Sequence, residues 1–301
     1  MTKPRILTIA NWNFEANGKG DLHTRHIAHR KLASLGANLV FRQEMWGADN
    51  DGRQVMQELE RHLGMRGWLG ERACTAIFAD HNFQVLRQWS APSLYVLPPT
   101  ALTMRYTPAG PDAAPFVAVS YHLNYASPTN RLIEAEWLTT WADKRWTTPQ
   151  GGTAVLPCIS GGDANSYPHA DVEGAPALPV LEDIQDRPHR LHRSYLGPDG
   201  RRLMDTRPDA ALRTAGLEDV ARHRALAGDL KAVARTVDRC DTHGPDARID
   251  RVYVTPELLP AVRDVDVIEV PLDLSDHHMA RVKLEADVLA DILRAVFAGA
   301  A

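Results

Sequence analysis

Ser160-Gly161-Gly162-Asp163-Ala164-Asn165 follows a strand-like run over residues 153–159. An apolar strand thus delivers two side chains able to bind a metal or a phosphate. Strand ends held by a rigid scaffold are a natural place for a site. The same arrangement recurs along the chain. A β-rich run over 5–10 leads to Asn13, and a strand over 37–41 ends in Arg42-Gln43-Glu44. His122 follows a strand over 116–121. Asp250 lies inside a strand signal at 248–254, and Asp276-His277 precedes a strand over 279–284.

Around these strands the periodicity predicts helices over 22–35, 52–63 and 128–143. It predicts further helices over 208–216, 217–236 and 287–298, and a short one over 256–262. Further strands are predicted over 74–79, 83–89, 101–106 and 265–270. Residues 168–204 are rich in Pro, His and Arg without a clear period and read as a long loop. Strands in the middle with helices alternating near both ends imply a layered α/β arrangement, sheet on sheet with helices outside. No Gly/Ser linker divides the chain, which favours one domain over 1–286 followed by an amphipathic helix over 287–301. Val288, Leu289, Ile292, Leu293, Val296 and Phe297 form one apolar face of that helix. Docking on the domain's own core is the simpler use for it, and a homodimer contact is the alternative.

Composition narrows the function classes. The chain has 301 residues, 44% hydrophobic and 24% charged, with 34 basic against 38 acidic side chains and a net charge of −4. That balance is the one of a globular protein with a sizeable core, not a disordered chain. It excludes a strongly basic nucleic-acid coat but not a local basic groove. Cys74, Cys158 and Cys240 are too sparse for a zinc site or a disulfide framework and fit a reducing compartment. No signal peptide is visible after Lys3 and Arg5, and no apolar run reaches the ~18 residues of a membrane span. These features together read as a cytoplasmic protein.

The residue inventory points to a chemistry. Asn13, Glu44, Asp163 and Asp276 supply oxygen ligands without thiolates, a set that suits Mg2+ or Mn2+. Two histidines and a further carboxylate supply proton handling and phosphate contacts. Together they fit metal-assisted hydrolysis of a phosphate ester. Each feature alone has a plainer reading, such as an Asx-turn at Asp163-Ala164-Asn165 or a solvated Glu44. Their joint order is what carries information.

That order resembles the endonuclease/exonuclease/phosphatase superfamily, the group of DNase-I-like nucleases, abasic-site endonucleases, inositol-polyphosphate phosphatases and bacterial sphingomyelinases. Ile9-Ala10-Asn11-Trp12-Asn13 is similar to its first strand with the metal-site Asn, and Gln43-Glu44 to its Gln-Glu motif. Tyr121-His122-Leu123 resembles the His-Leu motif, and Arg131–Leu138 the helix after it. Gly162-Asp163-Ala164-Asn165, Arg248-Ile249-Asp250-Arg251 and Ser275-Asp276-His277 resemble its last three motifs. Ala164, Arg251 and His278-Met279 depart from the common pattern, but none of them removes a ligand.

The resemblance implies a four-layered α/β/β/α sandwich and a Mg2+-dependent phosphodiester hydrolase, foremost a nuclease on DNA or RNA. The alternative substrate is a small phosphorylated molecule, inositol phosphate or phospholipid. A binding module without activity ranks last, because no ligand is missing. In the implied site Glu44 is the principal metal ligand, with Asn13 and Asp276 close by. Asp163 orients or deprotonates the attacking water, and Asn165 donates to a phosphoryl oxygen. His277 contacts the phosphate, held by Asp250. His122 donates to the phosphate or protonates the leaving group. Glu15 is either close to the metal or a solvated loop residue.

Several other features have plainer readings. His23, His26 and His29 read as a solvated helix face. His189 and His192 lack a third ligand for a metal. Arg187, Arg190, Arg193, Arg201 and Arg202 form either a phosphate patch or a loop ion-paired to Asp183, Asp186 and Asp199.

Overall fold

The computed structural model describes residues 4–241 and 244–299. Period-two alternation along the central strands feeds separate cores. Strand β1 (Ile6–Asn13) sends Leu7 and Ile9 into one buried cluster and Ala10 and Trp12 into another. Strand β2 (Leu39–Gln43) divides Leu39 and Phe41 from Val40 in the same way. The first halves of the chain's sheets continue with β3 (Arg66–Leu69), β4 (Thr75–Ala79), β5 (Phe83–Trp89), β6 (Thr100–Tyr106) and β7 (Phe116–His122). Then come β8 (Arg145–Thr147), β9 (Thr153–Val155), β10 (Cys158–Asp163), β11 (Ser194–Leu196) and β12 (Arg202–Met204). The last are β13 (Glu218–Asp219), β14 (Asp250–Val254), β15 (Val262–Ile268) and β16 (Met279–Glu285).

One six-stranded sheet has the order β15-β16-β1-β2-β4-β3, and the other β13-β14-β10-β7-β6-β5. Their facing sides share a core that includes Leu7, Phe41, Leu102, Ala118, Ile159 and Val252. Helices α1 (Leu22–Ala33) and α2 (Gln54–Leu63) cover the outer face of the first sheet, Leu32 and Leu59 packing with Trp12 and Val40. Helix α3 (Pro128–Leu138) covers the second, with Ala135 and Leu138 against Val117, Val119 and Tyr121. The layers are therefore α/β/β/α, the DNase-I-like sandwich that the motifs imply.

Two parallel pairs explain where the polar residues meet. β1 and β2 are parallel and joined through α1, and β7 and β10 are parallel with α3 between them. Parallel strands end on the same side, so each pair delivers its C-terminal residues to one place. The register sets Asn13 beside Gln43, and Asp163 beside His122 on one flank and Asp250 on the other.

The structure corrects several boundaries. Strand β10 does not end at residue 159 but runs through Gly161-Gly162 to Asp163, while Pro157 separates it from β9. The two glycines are sterically required. A Cβ on Gly162 would lie 1.9 Å from the Tyr121 carbonyl oxygen, and one on Gly161 would lie 2.5 Å from the Phe41 ring. Residues 217–236 are not one helix. Asp219 caps α6 (Val220–Leu226), and the chain turns away at Gly228, where φ is 97°.

The segment 168–204 is not a structureless loop. It carries α4 (Arg187–His192), whose Asp186 cap accepts from the His189 N–H, and the hairpin β11–β12. These elements are too short for a period to register in the sequence. His29 is buried rather than solvated and bonds Glu58 at 3.1 Å, because α1 turns that face toward α2. Helices α5 (Arg207–Thr214) and α7 (Ala286–Ala298) complete the fold. Leu289 and Leu293 of α7 join the inter-sheet core, and Phe297 packs with Ala114 and Ala154. Residues 300–301 of the expected terminal segment lie outside the described residues. Among the described residues no helix is long and apolar enough to cross a membrane.

One buried ion pair fastens 168–204 to the rest. Arg131 of α3 donates to Asp205 Oδ2 through Nε at 3.1 Å and Nη2 at 2.7 Å. Its Nη2 also meets the His192 carbonyl at 2.7 Å, and its Nη1 meets the Asn124 carbonyl at 2.9 Å. Burial draws the Arg131 guanidinium down to about 10, against the pull of Asp205. Without Arg131 the fully buried Asp205 keeps only the partly exposed Arg207, and the carbonyls of Asn124 and His192 lose their donor. Arg131→Ala is therefore expected to cost about 3–5 kcal/mol in urea unfolding and to open residues 187–204 to proteolysis. An unchanged midpoint would contradict the clamp. Gly162→Ala is expected to yield no folded chain, as read by far-UV circular dichroism.

Candidate active site

At the shared end of β1, β2, β7 and β10 lies a cleft of about 370 Å³. Glu44, His122, Asp163, Asn165, Asp276 and His277 line it. Asn13 and Asp250 are buried behind them. The structure thus brings together all eight residues singled out in the sequence.

Asp163 is the hub. Its Oδ2 accepts from Asn13 Nδ2 at 3.1 Å and lies 3.5 Å from His122 Nε2 and 3.9 Å from His277 Nε2. Its Oδ1 accepts the Asn165 backbone N–H at 2.7 Å. Burial pushes this carboxyl up, but His277, His122, Arg193 and the Asn165 N–H outweigh it and hold the pKa below the usual range. Asp163 is thus an ionised carboxylate.

Asn13 bridges to the first sheet by also donating to Glu44 Oε1 at 3.1 Å. Glu44 Oε2 accepts the Ala16 N–H at 2.6 Å. Glu44, at φ 55°, and Asn165, at φ 48°, both sit in the left-handed region. Such conformations in non-glycine residues cost roughly 1–3 kcal/mol and concentrate at functional sites. Here they turn one side chain back into the cleft immediately after a strand and anchor the other beside Asp163. Asn165 Nδ2 is further fixed by the Leu123 carbonyl at 2.9 Å.

His277 Nδ1 lies 2.8 Å from Asp250 Oδ2, and the Trp12 indole holds the His277 carbonyl at 3.0 Å. Burial pulls the imidazole down, yet Asp250, Asp163 and Asp276 raise its pKa to about 10. Burial in turn pushes the Asp250 carboxyl up against the pull of His277 and Thr236. With the two groups in contact, the pair holds its charge as imidazolium and carboxylate at neutral pH.

The donor set fits a hard divalent cation. Glu44 and Asp276 are carboxylates, and Asn13 Oδ1 is a buried acceptor with no hydrogen-bond partner. A second compact group, Asp163, Asp250 and His277, has ligand atoms within 4.8 Å of one another. Glu15 sits at the rim, ion-paired to Lys19 at 2.7 Å.

The cleft also contains two aromatic residues that the sequence reading did not single out, and two residues that it named only within the 168–204 segment. Trp46, 37% exposed, and Tyr125, 56% exposed, present aromatic faces. His189 and Arg193 reach in from the 168–204 segment. Trp46 and Tyr125 follow Glu44 and His122 by two and three positions, which is the available signal for them. Arg251, the departure from the common motif, donates to the Ser166 carbonyl at 3.0 Å and its hydroxyl at 2.9 Å, bracing the turn after Asn165.

No family model and no curated protein matches this chain by sequence. Solved structures do match it along nearly its whole length. A Bacteroides thetaiotaomicron endonuclease/exonuclease/phosphatase family protein is 16% identical, with 94% of this chain and 98% of that one covered and a TM-score of 0.59. TDP2 of D. rerio, complexed with single strand DNA product, is 14% identical over 92% and 98%, with a TM-score of 0.58. Mannosyl-6-phosphatase Bt3783 of B. thetaiotaomicron VPI-5482 is 16% identical over 92% and 98%, with a TM-score of 0.56. The chain has the fold of the endonuclease/exonuclease/phosphatase proteins.

The His277–Asp250 pair makes a pH prediction. The folded pKa of His277 stands above its ordinary 6.5, so its stabilisation is complete below pH 6.5 and is lost as pH rises through about 10. Asp250→Asn is expected to lower the His277 titration by about 1–3 pH units, read by NMR of the imidazole with chelator present. An unmoved titration would mean that Asp250 does not control this proton.

Proposed function

We propose that the chain is a Mg2+-dependent phosphodiesterase whose substrates are unpaired strands of nucleic acid. The observation that carries the reading is the set of contacts around Asp163. Metal-binding oxygen donors reach it through Asn13, and phosphate-binding nitrogen donors reach it through His122 and Asn165. A nucleophilic water, a phosphate and a cation would each find protein partners around this one buried carboxylate.

Glu44, Asn13 and Asp276 would hold the Mg2+. When bound, the cation would draw charge from the phosphoryl oxygens and the leaving oxygen. Asp163 orients the attacking water and takes its proton, which an ionised carboxylate in hydrogen-bond reach can do. Asn165 has one amide N–H left after donating to Leu123, and gives it to a non-bridging oxygen. His277 presents its other ring nitrogen to the phosphate as an imidazolium, fixed by Asp250. His122 steadies the phosphate or protonates the leaving oxygen as the P–O bond breaks.

One observation favours unpaired strands. Trp46 and Tyr125 supply exposed aromatic faces on which bases stack. A second reading, a small phosphorylated substrate, agrees with the mannosyl-6-phosphatase among the similar structures.

The test is cleavage of labelled single- and double-stranded DNA and RNA, and of small phosphoesters, with Mg2+, Mn2+ or chelator. Single strands are expected to be cut in a metal-dependent way. Asp163→Ala is expected to lower kcat by about 100- to 10,000-fold with the fold intact. Glu44→Gln is expected to raise the Mg2+ concentration required. Activity confined to small phosphoesters would select the second reading. Near-normal turnover by Asp163→Ala would overturn the assignment.

A further inference from the structure

The arginines of the basic cluster within 168–204 have different partners. Arg201 pairs with Asp199 at 2.9 Å. Arg202 donates to Ser194 Oγ at 3.0 Å, and Arg190 to the Ile184 carbonyl at 2.8 Å. Arg193 behaves differently. It sits at the C-terminal end of α4, only 3% exposed, and lines the cleft with His122, Asp163, Asn165 and His277. Its Nε donates to His189 Nε2 at 3.0 Å. Its Nη1 is buried with no hydrogen-bond partner. Among the described residues Arg193 forms no ion pair with a carboxylate, although its charge helps hold Asp163 ionised.

A buried guanidinium with an unsatisfied N–H and no carboxylate partner is costly in a folded chain. An anion entering the cleft that Arg193 lines would supply the missing counter-charge. The arrangement is also pre-organised. The Arg193 N–H donates to the His189 carbonyl at 2.9 Å, and its own carbonyl accepts the Asp205 N–H at 3.0 Å. Asp205 is the residue clamped by Arg131. The ion pair that fastens the segment therefore also fixes the arginine's backbone.

We propose that the 168–204 segment supplies Arg193 as the anchor for the non-bridging phosphoryl oxygens of the substrate, which makes the segment a working part of the site. This inference rests on reading the cleft as a phosphoester site. Arginine suits the role, because its planar fork meets two oxygens of one phosphate and its charge is permanent.

The test uses the full chain with inorganic phosphate as the probe, Mg2+ held constant, and Arg193→Met and Arg193→Lys beside the wild type. Calorimetry is expected to show phosphate binding weakened by about 10- to 100-fold in Arg193→Met. Arg193→Lys is expected to recover only part of it, since a lysine keeps the charge without the fork. Without phosphate, the Tm of Arg193→Met is expected to equal or exceed that of the wild type, because an uncompensated buried charge has been removed. Phosphate should raise the wild-type Tm more than the variant's.

A merely structural arginine gives the opposite pattern, a lowered Tm with phosphate affinity retained, and that result overturns the proposal. An Arg193→Met chain that does not fold overturns it as well. Phosphate binding requires no turnover, so the two readings fail separately. A wild type that cleaves phosphoesters, with kcat/KM unchanged in Arg193→Met, removes the Arg193 proposal and leaves the hydrolase standing. Arg193-dependent phosphate binding without turnover on any phosphoester does the reverse.

Discussion

A seam of buried hydrogen bonds joins the two sheets directly beneath the cleft, and the rest of the site depends on it. Gln43 Nε2 donates to Asn11 Oδ1 at 3.1 Å and to Ser120 Oγ at 3.0 Å, linking β1 and β2 to β7. Ser120 Oγ donates in turn to the Arg42 carbonyl at 3.0 Å, and Asn11 Nδ2 to the Gly162 carbonyl at 3.4 Å. Apolar faces alone would let one sheet slide over the other, because hydrophobic attraction is non-directional. Directional bonds in a dry interior fix the registry, and breaking one leaves a buried group unsatisfied. The glycine at 161 allows the approach that these bonds require, since a Cβ there would meet the Phe41 ring of the facing sheet. The Asn13–Asp163 contact at the site is the outermost member of the same seam.

Above the seam, the cleft concentrates features that cost stability. It has backbone strain at Glu44 and Asn165, several carboxylates close together, and a buried arginine with an unsatisfied N–H. The surrounding structure over-determines each of them. The strands deliver Glu44 and Asp163, Trp12 holds the backbone of His277, and the Arg131–Asp205 pair holds α4 in place. The proposed chemistry uses these same features. A carboxylate kept ionised, an imidazole kept charged and donors aimed at an open space are what attack on a phosphate needs.

Much of this was legible in the sequence, for identifiable reasons. The long strands carry apolar residues on both faces, so they read as continuous apolar runs, and their ends read as sudden polarity. Asn13, Glu44, His122, Asp163, Asn165, Asp250, Asp276 and His277 were recognisable because type, order and strand-end position agreed. Trp46 and Tyr125 were not, because an aromatic in a loop has no local signature of facing a cleft, and Arg193 was legible only as one of five arginines in a basic cluster. The helix within 168–204 escaped because six residues cannot establish a period. The burial of His29 escaped because it depends on where α2 packs.

The sequence by itself determined the local facts: which segments form strands and helices, and which side chains can bind a metal or move a proton. These are properties of short stretches and of residue chemistry. Tertiary structure alone decided which of those side chains meet. Parallel pairing and register brought Asp163 beside both His122 and Asp250, and sheet-on-sheet packing brought Asn13 to Asp163. A buried ion pair between residues 131 and 205 turned an unremarkable basic loop into a wall of the cleft. The physical reason is that proximity across 74 to 150 positions in the chain is a result of packing. So is the environment that sets each charge, and neither is encoded at any one place along the chain.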